Sequence, residues 1–280
     1  MSTDTAFTPR SLTASQYIRE LFEPADNAAV LVRNRSTRQS VQRITRAGTI
    51  ASPSFQNWLA YENARGSDVF VGMNPIKDGA YSRTKANIRE IRHLYLDLDR
   101  EGDQVLEAIR KSTELPPPTF VLNTSPGKHQ VVWRVTGIDQ DRAELLMRTL
   151  ADRYAADPAA TDSTRVLRLP GFANRKLLGE FIVQARCESV AVYNLSDFAV
   201  GEITPEMPRN FARACRRTPT VSAKNKTQSE RDWAFAKRAL SRGEDPSTVI
   251  QRIAAFRGKD KASPEYYARL TVNKAKAALG

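Results

Sequence analysis

Between residues 93 and 185, the spacing of apolar residues switches repeatedly between the period of a strand and the period of a helix. The first element is a strand at 93–99, where a leucine occupies every second position. The elements predicted after it are a helix, two strands joined by a Ser-Pro-Gly turn, a helix and a strand, at 104–111, 118–135, 139–154 and 166–169. This order is the split β-α-β pattern. It predicts an α+β fold with an RNA-recognition-like (ferredoxin-like) core, whose sheet carries both helices on one face and leaves the other open.

Further elements are predicted on both sides of this pattern. Before it we expect a helix, two strands, a helix and a strand, at 13–22, 28–48, 53–65 and 67–74, and after it a strand at 181–185. Residues 206–228 are rich in Pro, Arg, Lys, Thr and Asn without periodicity, which is typical of a linker. Three helices follow, with start signals at Ser229, Asp245 and Ser263. We therefore expect a folded domain at 1–205, a basic linker at 206–228 and a small C-terminal all-α helical bundle at 229–280.

The positive charge is concentrated in the C-terminal part. The chain has 43 Lys and Arg against 31 Asp and Glu, a net charge of +12. Residues 206–280 contribute 17 basic and 7 acidic side chains, a net of +10, which leaves +2 for residues 1–205. Clustered cations neutralise phosphates, and a tyrosine can stack on an unpaired base. The DNA-binding candidates are Arg231, Lys237, Arg238, Tyr266, Tyr267 and Lys274, with one tyrosine expected to stack and the other to pack in the core.

Cysteine content and hydropathy indicate the compartment. Cys187 and Cys215 are the only cysteines, too few for a disulfide framework or a cysteine-rich zinc site, which favours a reducing cytoplasm. The first ten residues contain Asp4 and no apolar core, so they do not resemble a signal peptide. No apolar run approaches the roughly 20 residues needed to span a bilayer. We therefore expect a cytoplasmic protein with no membrane partner.

Two aspartates end the strand at 93–99. Side chains alternate along a strand, so Asp97 and Asp99 share one face with Tyr95, while the leucines share the other. Two positions along a strand are about 6.6 Å apart, so the two carboxylates can converge on a hard cation such as Mg²⁺ or Mn²⁺. The alternative is a solvated strand end whose acids pair with Arg92 and Arg100, and an Asp-x-Asp pair by itself does not exclude it.

A mixed acidic and basic segment, DPAATDSTRVLRLPGFANRK, occupies residues 157–176. Asp162 precedes the strand at 166–169, where it could join the aspartate pair. Arg165 and Arg168 follow, and arginine can grip a triphosphate bidentately. Acids that hold metal beside bases that hold phosphate are what nucleotidyl transfer requires. A surface turn with solvated charges is the alternative.

These segments, together with NTSPGKHQVVW at 123–133, resemble the RepB-type plasmid replication primases of the archaeo-eukaryotic primase superfamily. The resemblance implies that Asp97, Asp99 and Asp162 are the catalytic, metal-binding acids. It places Ser125, Lys128 and His129 at the nucleotide-binding motif, although the Ser-Pro-Gly-Lys-His spacing departs from the superfamily's Ser-x-His. The matches to the superfamily's Arg-x-Pro-Gly-x-x-Asn-x-Lys stretch are Arg168, Pro170, Gly171, Asn174 and Lys176. Residues 229–276 resemble the helical domain that follows the catalytic core in these proteins.

The resemblance implies a DNA primase that makes primers on a single-stranded DNA template for plasmid or mobile-element replication. Its cofactor would be Mg²⁺ or Mn²⁺, in a two-metal nucleotidyl transfer. Its partners would be nucleoside triphosphates, single-stranded DNA, and a separate replicative helicase and initiator protein. Nucleotide-binding candidates are Ser125, Lys128, His129, Arg165, Arg168, Asn174 and Lys176.

Other classes of protein fit the sequence less well. A relaxase nickase needs a paired-histidine metal motif, and the only histidines, His93 and His129, lie 36 positions apart. The segment SPGKHQ at 125–130 lacks the spacing of a P-loop. A non-catalytic single-stranded nucleic-acid-binding replication protein is the remaining alternative, although aromatic side chains would then be expected on the open face in place of acids.

Overall fold

The computed structural model describes residues 7–177, 179–199, 228–258 and 263–277. The chain divides into two compact units, residues 1–212 and 213–280. The predicted linker at 206–228 lies outside the described residues except for Gln228, the first residue of a helix. Across the described ranges, no helix is both long and apolar enough to cross a membrane.

A five-stranded antiparallel sheet forms one half of the first unit. Its strands, in spatial order, are β1 (Arg10–Leu12), β9 (Gln184–Cys187), β6 (Phe120–Ser125), β7 (Lys128–Arg134) and β5 (His93–Leu98). Helices α4 (Gly102–Lys111) and α5 (Gln140–Arg153) contact β5 and β7. The buried leucines of β5 lie on the face opposite Tyr95 and Asp97, as the alternation predicts.

A four-stranded antiparallel sheet forms the other half. Its order is β3 (Ser40–Arg46), β2 (Asn27–Asn34), β4 (Ser67–Gly72) and β8 (Val166–Arg168). The split β-α-β pattern would place β8 beside β5, but β8 pairs with β4 instead. A buried ion pair stabilises this pairing, because Arg168 of β8 bonds Asp68 of β4. The observed architecture is therefore a mixed α/β unit with two antiparallel sheets.

Three further helices belong to the first unit: α1 (Ala14–Leu21), α2 (Ala47–Ile50) and α3 (Pro53–Ala64). Helix α1 begins at a capping box, in which the Thr13 hydroxyl accepts from the Gln16 N–H and the Gln16 side chain accepts from the Thr13 N–H. Short 3₁₀ turns lie at Lys85–Asn87, Pro158–Ala160 and Leu195–Asp197.

The described part of the second unit is three helices, α6 (Gln228–Ser241), α7 (Pro246–Arg257) and α8 (Pro264–Ala277). Asp245 caps α7 by accepting from the Thr248 N–H at 3.0 Å. The helices pack around a small apolar core made of Ala236, Ala239, Val249, Ile253, Ala268, Val272 and Ala275. One buried polar group connects α6 and α7: Arg257 donates to both carboxylate oxygens of Asp232, each at 2.7 Å.

Candidate metal centre and surrounding basic residues

Three carboxylates meet at the end of β5. Asp97 is the last residue but one of the strand, Asp99 follows the strand directly, and Asp157 precedes the 3₁₀ turn at Pro158–Ala160. One oxygen from each lies within 4.8 Å of the others. The backbone N–H of Asp157 donates to the Asp97 carbonyl at 2.9 Å, which fixes the two residues side by side. Oxygen ligands in this number suit a hard divalent cation.

The electrostatics of Asp97 also favour a bound cation. Burial, together with the neighbouring Asp99 and Asp157 carboxylates, raises the pKa of Asp97 to about 6, against opposing effects from Gln130 and Arg168. A divalent ion between the acids would stabilise their charged forms. The donor set and its environment therefore fit Mg²⁺ or Mn²⁺.

Asp162 lies outside this group of three acids. Its Oδ1 accepts from the N–H and the hydroxyl of Thr164, and its Oδ2 lies 3.1 Å from Arg165 Nη2. Its backbone carbonyl accepts from the Tyr95 hydroxyl. The structure thus brings Asp157, not Asp162, to the aspartate pair. Both acids stand in the same segment of sequence, five residues apart, so the spacing could not distinguish them.

Lys128 is the first residue of β7, directly after the turn between β6 and β7, and its side chain reaches the acids. Its Nζ lies 3.0 Å from Asp99 Oδ1. The start of α4 packs tightly against this turn, because the Gly102 N–H donates to the Gly127 carbonyl at 3.1 Å. A Cβ on Gly102 would lie 2.5 Å from that carbonyl oxygen. A glycine at 102 therefore allows the turn to sit where Lys128 can contact Asp99.

His129 points away from the acids. It pairs with Leu98 in the sheet register, and its Nε2 lies 2.6 Å from Asp103 Oδ1 in the first turn of α4. Its nucleotide-binding role stays a prediction. The next residue, Gln130, pairs with Asp97 and shares the acid face. Sequence reasoning did not identify Gln130, although the alternation along the strand contained the signal.

Gln130 connects the two sheets. Its Nε2 lies 3.5 Å from Asp97 Oδ2 on β5, and its Oε1 accepts from the Arg168 N–H on β8 at 3.1 Å. The side chain is buried. It therefore orients one of the acids and holds β8 beside the acid face.

Arg168 is held in a buried network. Its Nη1 lies 2.7 Å from Asp68 Oδ1, and its guanidinium lies 5.0 Å from the centre of the Phe70 ring. Arg35 and the Arg175 N–H also bond Asp68, which is fully buried. Sequence analysis missed Asp68, for which the available signal was a single acid within the apolar strand SDVFVG.

The remaining basic-loop candidates fall into two groups. Ser125 and Asn174 are buried, and Asn174 Nδ2 donates to the Thr124 carbonyl at 2.7 Å, which fixes the loop to the end of β6. Lys176 is exposed, and Arg165 is partly exposed beside Asp162. Of these four candidates, Arg165 and Lys176 are thus the two that solvent can reach.

In the second unit, the DNA-binding candidates differ in exposure. Tyr266 is 69% exposed, whereas the Tyr267 hydroxyl donates to Asp232 Oδ2 at 2.9 Å in the buried polar group. Lys237 lies over the Trp233 ring at 5.3 Å. Arg238 and Lys274 are exposed, and the side chain of Arg231 lies outside the described residues. A groove of about 1090 Å³ between α7 and α8 is lined in part by Tyr266 and Arg269.

Comparisons with known proteins identify the relatives of this chain. The family model of the RepB DNA-primase N-terminal domain matches residues 35–196. Mobilization protein A of Escherichia coli is 33% identical over 150 residues, 52% of this chain, and a replication protein of Clostridium perfringens is 27% identical over 139 residues, 45% of this chain. These segments cover 18% and 33% of the two relatives, so each relative is much longer than the part it shares.

A solved structure supports the fold. The crystal structure of the primase RepB′ is similar with a TM-score of 0.54 and 23% identity, over 94% of both chains. At this identity, the similarity shows a shared fold.

Proposed function

Because the chain belongs to the RepB DNA-primase family, whose N-terminal-domain model covers more than half of it, we propose that it is a DNA primase. The resemblance inferred from the sequence is confirmed at the level of the family. The proposed reaction is template-directed nucleotidyl transfer, which extends a 3′-hydroxyl with release of pyrophosphate on single-stranded DNA of a plasmid or another mobile element.

The observation that carries this proposal is the meeting of Asp97, Asp99 and Asp157 within 4.8 Å. These residues would hold one or two divalent ions, Mg²⁺ or Mn²⁺. When bound, such ions lower the pKa of an attacking hydroxyl and neutralise the charge on a leaving pyrophosphate. The chain's own contribution is to fix three carboxylates in a partly buried place before substrate arrives, so that little reorganisation remains.

Basic residues around the acids supply the proposed triphosphate site. Lys128 already lies beside Asp99, and Arg165 and Lys176 stand at the loop surface. Arg168 and Asn174 act in this proposal by shaping the loop, since both are buried in hydrogen bonds to the protein. Ser125 and His129 stay candidates for nucleotide binding because they match the family motif.

We place template binding partly on the second unit. Its exposed Tyr266 suits stacking on an unpaired base, and Lys237, Arg238 and Lys274 suit phosphates. Nucleoside triphosphates would be the substrates, and a separate helicase and initiator protein would open and mark the origin.

The test is template-dependent incorporation of nucleotides on single-stranded DNA with Mg²⁺ or Mn²⁺. Asp97→Asn should abolish incorporation while single-stranded DNA binding persists, because the substitution removes a metal ligand and leaves the basic surfaces intact. Asp141→Asn, on the exposed side of α5, is the matched control and should keep full activity. A wild-type protein that binds DNA and incorporates nothing with either metal would favour the non-catalytic alternative.

A further inference from the structure

One face of the four-stranded sheet forms a continuous row of side chains. Directly paired residues of antiparallel strands share a face. Gln42, Leu31, Phe70 and Arg168 are paired in turn across β3, β2, β4 and β8, so their side chains form one row. Arg33 lies in the neighbouring row of the same face, beside Asp68.

This row runs into the candidate metal centre. Its last member, Arg168, donates its backbone N–H to Gln130, whose amide nitrogen lies 3.5 Å from Asp97. The row is buried at Arg168, partly buried at Phe70 and Leu31, and exposed at Gln42. The exposure of the side chains in this row therefore increases from the acids toward the edge strand β3.

The opposite face of this sheet is the core side. Val30, Val32, Val69 and Val71 lie there and are almost completely buried. The valine face thus provides the buried core of this sheet, whereas Leu31 and Phe70 on the other face remain partly exposed to solvent. These side chains are available to contact a ligand.

Two arginines border the open part of the row. Arg33 is exposed, and Arg83, from the segment after β4, donates to Gln42 Oε1 at 3.3 Å. Arg83 also lies over Gly72, where a Cβ would be 3.5 Å from its Cδ. Among the described residues, neither arginine has an ion-pair partner within 4.0 Å. Burial lowers the pKa of Arg83; the nearby Asp162 carboxylate and Tyr95 oppose this effect, and the positive charge of Arg165 adds to it.

We propose that this face, formed by Leu31, Phe70, Gln42, Arg33 and Arg83 and called here the template face, binds the single-stranded DNA template on its way to the acids. The inference rests on the proposed function, which it deepens by assigning the template surface. Leu31 and Phe70 offer apolar area to bases, while Arg33 and Arg83 pair with phosphates. From Gln42 to Phe70, the open part of the row spans two strand intervals of about 4.8 Å, or about 10 Å. That length matches about three steps of about 3.4 Å along a nucleic-acid strand, which is more than a single incoming nucleotide occupies.

The test compares arginines on the two faces of the same sheet. Arg33→Ala and Arg83→Gln are made in the full-length chain, and Arg43→Ala is the control. Arg43 is exposed and adjoins Gln42, but it points to the other face, where its guanidinium lies 4.0 Å from the centre of the Trp58 ring. Affinity for a fluorescent single-stranded oligonucleotide is measured against salt, and KM is measured separately for template and nucleotide.

We expect Arg33→Ala and Arg83→Gln each to weaken DNA binding and to reduce the slope of log affinity against log salt by about one. The template KM should rise while the nucleotide KM and the melting temperature stay near wild type. Affinities equal to that of Arg43→Ala would overturn the proposal. A raised nucleotide KM with unchanged DNA binding would also overturn it, by assigning the arginines to the incoming nucleotide. The binding assay does not depend on catalysis. If the wild type is inactive and the two arginine variants bind DNA more weakly than the wild type does, primer synthesis is refuted while the assignment of the template face is supported.

Discussion

Asp157 lies beside Asp97, its backbone N–H donating to the Asp97 carbonyl at 2.9 Å. The contact joins the segment after α5 to the end of β5, two segments about 60 residues apart in the chain. It makes Asp157 the third acid of the candidate metal centre, while Asp162 pairs with Arg165.

Asp157→Asn should weaken Mn²⁺ binding more than Asp162→Asn. Loss of an outer-shell partner already costs a metal site roughly tenfold in affinity, and loss of a direct carboxylate ligand should cost at least that much. The Mn²⁺ affinity of Asp162→Asn should stay near that of wild type, because the Asp162 carboxylate bonds Thr164 and Arg165. Calorimetric titration with Mn²⁺ measures both. Equal losses in the two variants would contradict the assignment.

The decrease of activity at low pH should follow the protonation of Asp97. Its pKa is raised to about 6, so the carboxyl is increasingly protonated as the pH falls through 6, and a protonated carboxyl is a poor metal ligand. Incorporation should therefore decline below about pH 6.5 and should recover partly with more Mn²⁺, which competes with the proton. A rate that stays flat from pH 7.5 to 5 would contradict this.

The same group should make the metal-free protein less stable at neutral pH. A folded pKa above the unfolded value of 3.8 means that the folded state binds more protons between pH 4 and 6, so stability falls as the pH rises through this window. Asp97→Asn removes this penalty, on the order of 2–3 kcal/mol for about two pKa units. Its melting temperature in EDTA at pH 7.5 should exceed that of wild type, and the two should converge near pH 4. A lower melting temperature for the variant would be inconsistent with the electrostatic account.

Lys128→Ala should change metal and nucleotide binding in opposite directions. Lys128 neutralises Asp99 across 3.0 Å, so its removal leaves a carboxylate that binds Mn²⁺ more tightly. The same change removes a charge proposed to hold the triphosphate, so the KM for nucleotide should rise. Arg153→Ala, whose arginine pairs with Glu114, is the control. Weaker Mn²⁺ binding in Lys128→Ala would contradict the competition between lysine and metal.

Arg168→Met should lower the stability of the protein, whereas Arg165→Met should weaken nucleotide binding. Breaking the buried pair leaves Asp68 with only Arg35 and the Arg175 N–H as partners, so the loss of stability should approach the about 3–5 kcal/mol that is typical of a broken buried ion pair. Arg165 is partly exposed, so its removal should leave the melting temperature unchanged and raise the nucleotide KM. Thermal unfolding and steady-state kinetics distinguish the two. A stable Arg168→Met protein with only a KM defect would instead make Arg168 a direct ligand of nucleotide.

Tyr266→Ala should weaken DNA binding, whereas Tyr267→Phe should lower the stability of the helical unit. Tyr266 is 69% exposed, and loss of a stacking aromatic costs about 1–3 kcal/mol of single-stranded DNA affinity. Tyr267→Phe removes a hydroxyl that bonds Asp232, so it should lower the stability of the helical unit and leave DNA affinity nearly unchanged. Anisotropy titrations and thermal unfolding provide the measurements. Equal DNA affinities for Tyr266→Ala and wild type would remove Tyr266 from the DNA surface.

The sequence by itself determined much that depends on near neighbours in the chain. Alternation along residues 93–98 places the leucines on one face and Asp97 on the other, because side chains of a strand alternate regardless of what lies around them. Caps such as Thr13 and Asp245 act over three residues. The acidic and basic motifs were sufficient to indicate the family.

Only the tertiary structure decided which distant residues meet. It placed β8 beside β4, chose Asp157 over Asp162 as the neighbour of Asp97, and turned His129 away while Gln130 faces the acids. These outcomes depend on contacts between segments far apart in sequence, such as the buried pair of Asp68 and Arg168, 100 positions apart. A buried charge must find an opposite charge, and which segment supplies it depends on how the whole chain packs, so local spacing does not contain the answer.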